Sequence, residues 1–170
     1  MQNNTPKRPT ISRQAVLIAA RQTAASVINT TSHCNLDLNH LSETIVRHWR
    51  NGMDAYELAK KLEAYSRYRP DMEMLNALEK MNRNVDILYR DQLENWINTQ
   101  DIKPPFPIGT EIKEGIIKRV DPYGIARYMI RVRDCKEPSS YLLKNFEDAV
   151  WVSAPEAKFL QSNSIKCLNA

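Results

Sequence analysis

Five cations fall at odd-numbered positions along two neighbouring β-branched stretches. Lys113 and Arg119 lie in the first, and Arg127, Arg131 and Arg133 in the second. Between them stands Asp121-Pro122-Tyr123-Gly124, with Pro at the second turn position and Gly at the fourth, the composition of a hairpin turn with a glycine bulge. With Pro122, Tyr123 and Gly124 as the loop, Arg119 faces Arg127, Ile117 faces Met129, Gly115 faces Arg131 and Lys113 faces Arg133. The other side pairs Val120 with Ala126, Lys118 with Tyr128, Ile116 with Ile130 and Glu114 with Val132, a mostly apolar face suited to covering a core. Like charges opposed across a sheet repel by up to about 1 kcal/mol per pair. A nucleic-acid backbone relieves that repulsion and adds counterion release. Arginine also brings a planar fork for phosphate and a flat surface for bases. Tyr123 at the turn tip offers an aromatic platform, and Lys7, Arg8 and Arg13 offer further phosphate contacts. The plain alternative is a solvated strand face, because edge cations also block aggregation. Glu147 and Asp148 are acids of the same chain available to neutralise it.

Other constellations carry less chemistry. His33, Cys34, His40 and His48 lack the twice-repeated close ligand pairs of a structural zinc site, so no metal is expected. Neither a G-x-S-x-G elbow, a P-loop nor a G-x-G-x-x-G run is present, and only four glycines occur in 170 residues, so no phosphate-cradling loop or nucleotide cofactor is expected. Carboxylate pairs such as Asp71 with Glu73, or Glu147 with Asp148, sit at caps and turns where acids belong anyway. Residues 54–62 contain a Glu-Leu-Ala run frequent in the first helix of helix-turn-helix proteins, but no short turn and recognition helix follow. These observations favour a non-enzymatic protein.

The elements that must position the cationic ribbon are legible from periodicity and caps. Residues 1–11, with Pro6 and Pro9, read as a flexible basic arm. Ser12 caps a helix to about Asn29. A second carries Leu38, Leu41, Ile45 and Trp49 and stops at Gly52. Asp54 with Glu57 three residues on has the form of a capping box, and Met53 staples onto Leu58. A fourth helix over residues 71–98 would be about 45 Å long if it filled thirty residues. After Pro104 and Pro105 the period changes from 3.6 to 2, with strands expected at residues 112–120, 125–132, 141–143 and 149–152.

The fold class expected is α+β: a four-helix part over residues 12–100, then a small antiparallel sheet or SH3-like barrel over 106–153 packed against it, and a peripheral tail over 154–170. Net charge is +4, distributed as +4 over residues 1–34, −2 over 35–100 and +2 over 101–170, which permits a polyanion partner. The acid-free residues 1–36 also have a transit-peptide composition, but they read better as a capped helix of the fold. No run of eighteen apolar residues spans a membrane. Three scattered cysteines imply no disulfide framework, so a cytoplasmic location is expected. The leading expectation is an accessory or regulatory protein contacting nucleic acid or a nucleoprotein complex through Lys113, Arg119, Arg127, Arg131 and Arg133. The alternative is a protein-interaction module, a dimeric adaptor or an inhibitor, using Met72, Leu75, Met81 and Trp96 of the long helix.

Overall fold

The computed structural model describes residues 3–30, 36–66, 68–133 and 140–152. Cys34, Cys135, Cys167, His33 and the tail over 154–170 lie outside the described residues. The protein is α+β, with helices in the N-terminal part and an antiparallel sheet in the C-terminal part. It divides into two compact units, Pro9–Gln92 and Met1–Arg8 with Leu93–Ala170. The divide falls inside the last helix.

In the first unit, helix starts follow their caps. Ser12 Oγ accepts from the Ala15 amide at 3.1 Å and opens α1 (Arg13–Thr30). Asp37 caps α2 (Leu38–His48) through the Asn39 amide, and Gly52, at φ 80°, allows the turn that follows. Asp54 accepts from the Glu57 amide at 2.7 Å and opens α3 (Ala55–Ser66). The Glu57 carboxylate pairs with Lys61 at 3.5 Å. Asp71 caps α4 (Met72–Leu78) through the Met74 amide at 2.7 Å. The long helix expected over 71–98 is interrupted at Glu79, where one amide is shared between the Leu75 and Ala77 carbonyls, and it resumes as α5 (Lys80–Gln100). The core of this unit joins the small-residue stripe Ala19, Ala20 and Ala24 of α1 to Leu41, Ile45, Leu58, Leu62, Met74, Leu78, Met81 and Val85. Alanines on α1 let its neighbours approach closely, and burying each large aliphatic contributes about 1.5–3 kcal/mol.

In the second unit, four strands form an antiparallel meander in chain order: β1 (Glu111–Ile112), β2 (Gly115–Val120), β3 (Arg127–Val132) and β4 (Tyr141–Asn145). The strand expected over 112–120 is thus two, folded at Lys113-Glu114, with Gly115 at φ 154°, where an added Cβ would overlap the Arg131 carbonyl. The strand expected over 149–152 is reduced to one bridge, Ile112 to Trp151. Ile112, Ile117, Tyr128, Ile130, Phe106, Phe146 and Ala149 form the core, with Trp96 and Ile97 of α5 packed against it. The Tyr128 hydroxyl donates to the Phe106 carbonyl at 2.7 Å and accepts from its amide at 2.9 Å. Burial pushes the Tyr128 phenol up, while the Phe106 amide opposes that shift.

The hairpin register also differs from expectation. Gly115 faces Val132, Ile116 faces Arg131 and Ile117 faces Ile130. Beyond Ile117 the register shifts at Lys118, so that Arg119 faces Met129 and Val120 faces Tyr128. Ile117 is therefore in the core and Ile116 is exposed, the reverse of the expected faces. The loop is longer than Pro122-Tyr123-Gly124: the Asp121 amide donates to the Arg127 carbonyl, and the positive φ lies at Ala126, at 49°, not at Gly124.

Candidate nucleic-acid interface

Alternation along β3 puts Tyr128 and Ile130 in the core, which turns Arg127, Met129 and Arg131 to the outer face. Directly opposed residues of antiparallel strands share a face, so three outer rows follow from the register. The first reads Glu111, Ile116, Arg131, Tyr141; the second Arg119, Met129, Leu143; the third Arg127, Asn145. Ile116, Tyr141 and Leu143 are 38%, 44% and 47% exposed; Leu142 and Val120, paired with the core residues Ile130 and Tyr128, are exposed to a similar degree, at 40% and 38%.

Two of the five expected cations are already matched. Arg127 Nη2 lies 2.8 Å from Asp121 Oδ2. The buried Asp121 also accepts from the Tyr123 amide at 3.0 Å. That amide holds the Asp121 carboxyl below its ordinary value; burial opposes the shift, and Arg127 and the Gly124 amide reinforce it. A Cβ at Gly124 would displace the Arg127 guanidinium, the far end of a flexible side chain. Arg133 pairs with Glu111 at 2.8 Å and donates to the Ile112 carbonyl at 3.0 Å. The idea of five uncompensated cations is therefore corrected to three. Among the described residues, Lys113, Arg119 and Arg131 have no carboxylate partner, and each is exposed. Arg119 Nε donates to Met129 Sδ at 2.9 Å. Lys118, exposed at the register shift, adds a cation that sequence pairing assigned to the core side.

The loop and arm residues divide in the same way. Tyr123 is 84% exposed at the tip of the β2–β3 loop, as its place in the turn suggests. Lys7 and Arg13 are exposed. Arg8 is not available: its Nε lies 2.7 Å from Glu147, its Nη2 donates to the Ile125 and Ala126 carbonyls, and its guanidinium stands 5.7 Å from the centre of the Trp96 ring. Asn3 donates to the Phe146 and Ala149 carbonyls. Residues 3–8, expected as a free arm, are thus bound along the sheet unit.

The expected partner face on the long helix is largely core. Met81 is fully buried, with the Thr23 hydroxyl donating to its sulfur at 3.6 Å, and Leu75 is half-buried. Trp96 is half-buried under Arg8. Met72 alone of the four is fully accessible, at 69%. Elsewhere in the helical unit His48 stacks on Tyr65 at 4.8 Å, and His40 lies 6.0 Å from Tyr68, tilted. Burial lowers the His48 imidazole, with Arg47, Lys61 and Arg50 adding to it.

Tyr141 and Leu143 are residues of the candidate face that sequence reasoning missed. Their strand is legible, but nothing local shows which of its faces joins the outer rows of β3. No described helix is long and apolar enough to cross a membrane. Compared with known proteins, the chain matches no family model, no curated protein and no solved structure.

Proposed function

We propose that this is a non-enzymatic, cytoplasmic accessory or regulatory protein that docks on nucleic acid, or on a nucleoprotein complex, through the outer face of β2, β3 and β4. The observation that supports this reading is the pairing state of the face. Arg119 and Arg131 are exposed and unmatched by carboxylates among the described residues, and they stand among exposed Ile116, Tyr141 and Leu143. Cations without internal partners gain most from a polyanion, through release of its counterions. Adjacent apolar groups add a term that salt does not screen.

The test is Arg119→Gln with Arg131→Gln, titrated by fluorescence anisotropy against labelled oligonucleotides from low to moderate salt. Losing two phosphate contacts should flatten the salt slope by about 1.4 for single strands and about 1.8 for duplex. An unchanged affinity and slope in the double variant refutes the reading. Arg127 is left intact because it holds Asp121.

A second reading rests on the exposure of Met72, which lies on α4 and makes a protein partner or second copy at the helical unit worth testing. Met72→Glu should then reduce association in sedimentation velocity, and a concentration-independent monomer counts against the homodimer form.

A further inference from the structure

Granting that docking reading, we infer that the ligand of this face is single-stranded nucleic acid whose bases stack on the sheet, and not duplex. The first argument is shape. The hairpin of β2 and β3 is not a free ribbon, because β4 pairs with β3 along its whole length, from Arg127 opposite Asn145 to Arg131 opposite Tyr141. Three strands measure about 10 Å between the outer strand axes before any side chain is added. A B-form major groove is about 12 Å wide and admits a two-stranded ribbon at most. The face must therefore meet its ligand broadside.

The second argument is chemistry. A duplex presents phosphates to a broadside surface and keeps its base faces stacked inside. It has no use for exposed apolar groups between cations. Here the apolar groups and cations alternate. Arg131 stands between Ile116 and Tyr141 in one row, and Met129 stands between Arg119 and Leu143 in the next. Arg119 and Arg131 are diagonal neighbours, about 7–8 Å apart. That arrangement suits an open strand, whose phosphates meet the guanidinium groups while its bases lie on Tyr141, Leu143 and Met129.

The third argument is extent. Tyr141 shares its row with Arg131, and the Arg127 row lies two same-face steps away, about 13 Å. Tyr123 stands beyond that end, in the β2–β3 loop, 84% exposed. One accessible aromatic ring thus lies in the Arg131 row and another in the loop beyond the Arg127 row, a length within the few nucleotides that open-strand binding sites commonly cover. No side chain here is placed to read base edges in a groove, so the preference is for strand state rather than sequence.

The experiment titrates the full chain with a labelled oligothymidine of about 12 nucleotides, with the same strand in a duplex, and with heparin as a polyanion without bases. The expected order is single strand tightest, with Tyr141→Ala weakening it about 5- to 150-fold and Tyr141→Phe restoring it. Tyr141→Leu keeps the apolar bulk at an exposed edge position and should not restore it. Circular dichroism of each variant guards against simple misfolding. Duplex or heparin binding as tightly as the single strand overturns this inference while leaving the docking reading in place. Single-strand binding indifferent to Tyr141→Ala overturns it as well. Failure of all three probes at low salt overturns both.

Discussion

Asp121→Asn tests whether the loop that shapes the candidate face is held by charge. The carboxylate is buried and accepts from the Tyr123 amide at 3.0 Å and from Arg127 Nη2 at 2.8 Å. Hydrogen bonds to a charged group contribute about 1.5–3 kcal/mol each, against about 0.5–1.5 for neutral ones. Asparagine keeps an acceptor of similar shape but loses the charge in both bonds, so the cost is about 2 kcal/mol. Hydrogen exchange read by mass spectrometry on peptides covering residues 115–132 should then show about 30-fold less protection at pH 7. The folded chain depresses the Asp121 pKa. A depressed carboxyl contributes stability that is complete above its unfolded value near 4 and is lost as pH falls through its folded value. The gap between wild type and variant should therefore narrow steadily below pH 4. Equal protection at pH 7 refutes the account, and so does a gap undiminished in strong acid. The substitution also removes the charge that offsets Arg127, so the salt slope for single strands should steepen by about 0.7.

Four further outcomes follow from the packing. Gly115→Ala places a Cβ against the Arg131 carbonyl at a positive φ, and should lower the denaturation free energy by more than about 1 kcal/mol. Arg8→Ala strands the buried Glu147 carboxylate, at a cost of about 3 kcal/mol in urea unfolding, and adding Glu147→Gln should recover much of it. Met81→Ala empties core volume and should cost about 2–5 kcal/mol without altering the oligomeric state, measured by urea unfolding and sedimentation. Because the folded chain favours neutral His48, its contribution is complete above about pH 6.5 and falls as the pH drops toward the lowered folded value, so His48→Gln should flatten the thermal midpoint between pH 7 and 5.

Helix starts are legible in the sequence because capping is local. Ser12, Asp54 and Asp71 each satisfy the amide three residues ahead. The interruption at Glu79 has no such signal, since neither Pro nor Gly stands there. Hairpin register is harder. It depends on where the chain turns, and a slip of one residue exchanges the two faces. Two features move it here. The turn at Lys113-Glu114 folds β1 back along β2, and the shift at Lys118 adds a residue to one strand only. Neither carries a composition that a uniform alternating stretch over residues 112–120 reveals.

The misplaced register and the overcounted charge have one cause. Reading residues 112–120 as a single strand takes Glu111 off the ladder, whereas folding β1 back brings it beside Arg133. Closing the loop at three residues turns Arg119 toward Arg127, whereas the longer loop joins the Asp121 and Arg127 backbones and brings their side chains together. Each acid so recruited weakens the argument from repulsion alone. What remains is a different argument. Ile116, Tyr141 and Leu143 on the outer rows are each more than a third exposed. Each 100 Å² of such surface forgoes about 2.5 kcal/mol of burial. That burial is gained only when a partner covers the rows. On the docking reading, the exposed apolar groups beside the two unmatched arginines are what an open strand of bases would cover and phosphate by itself would not.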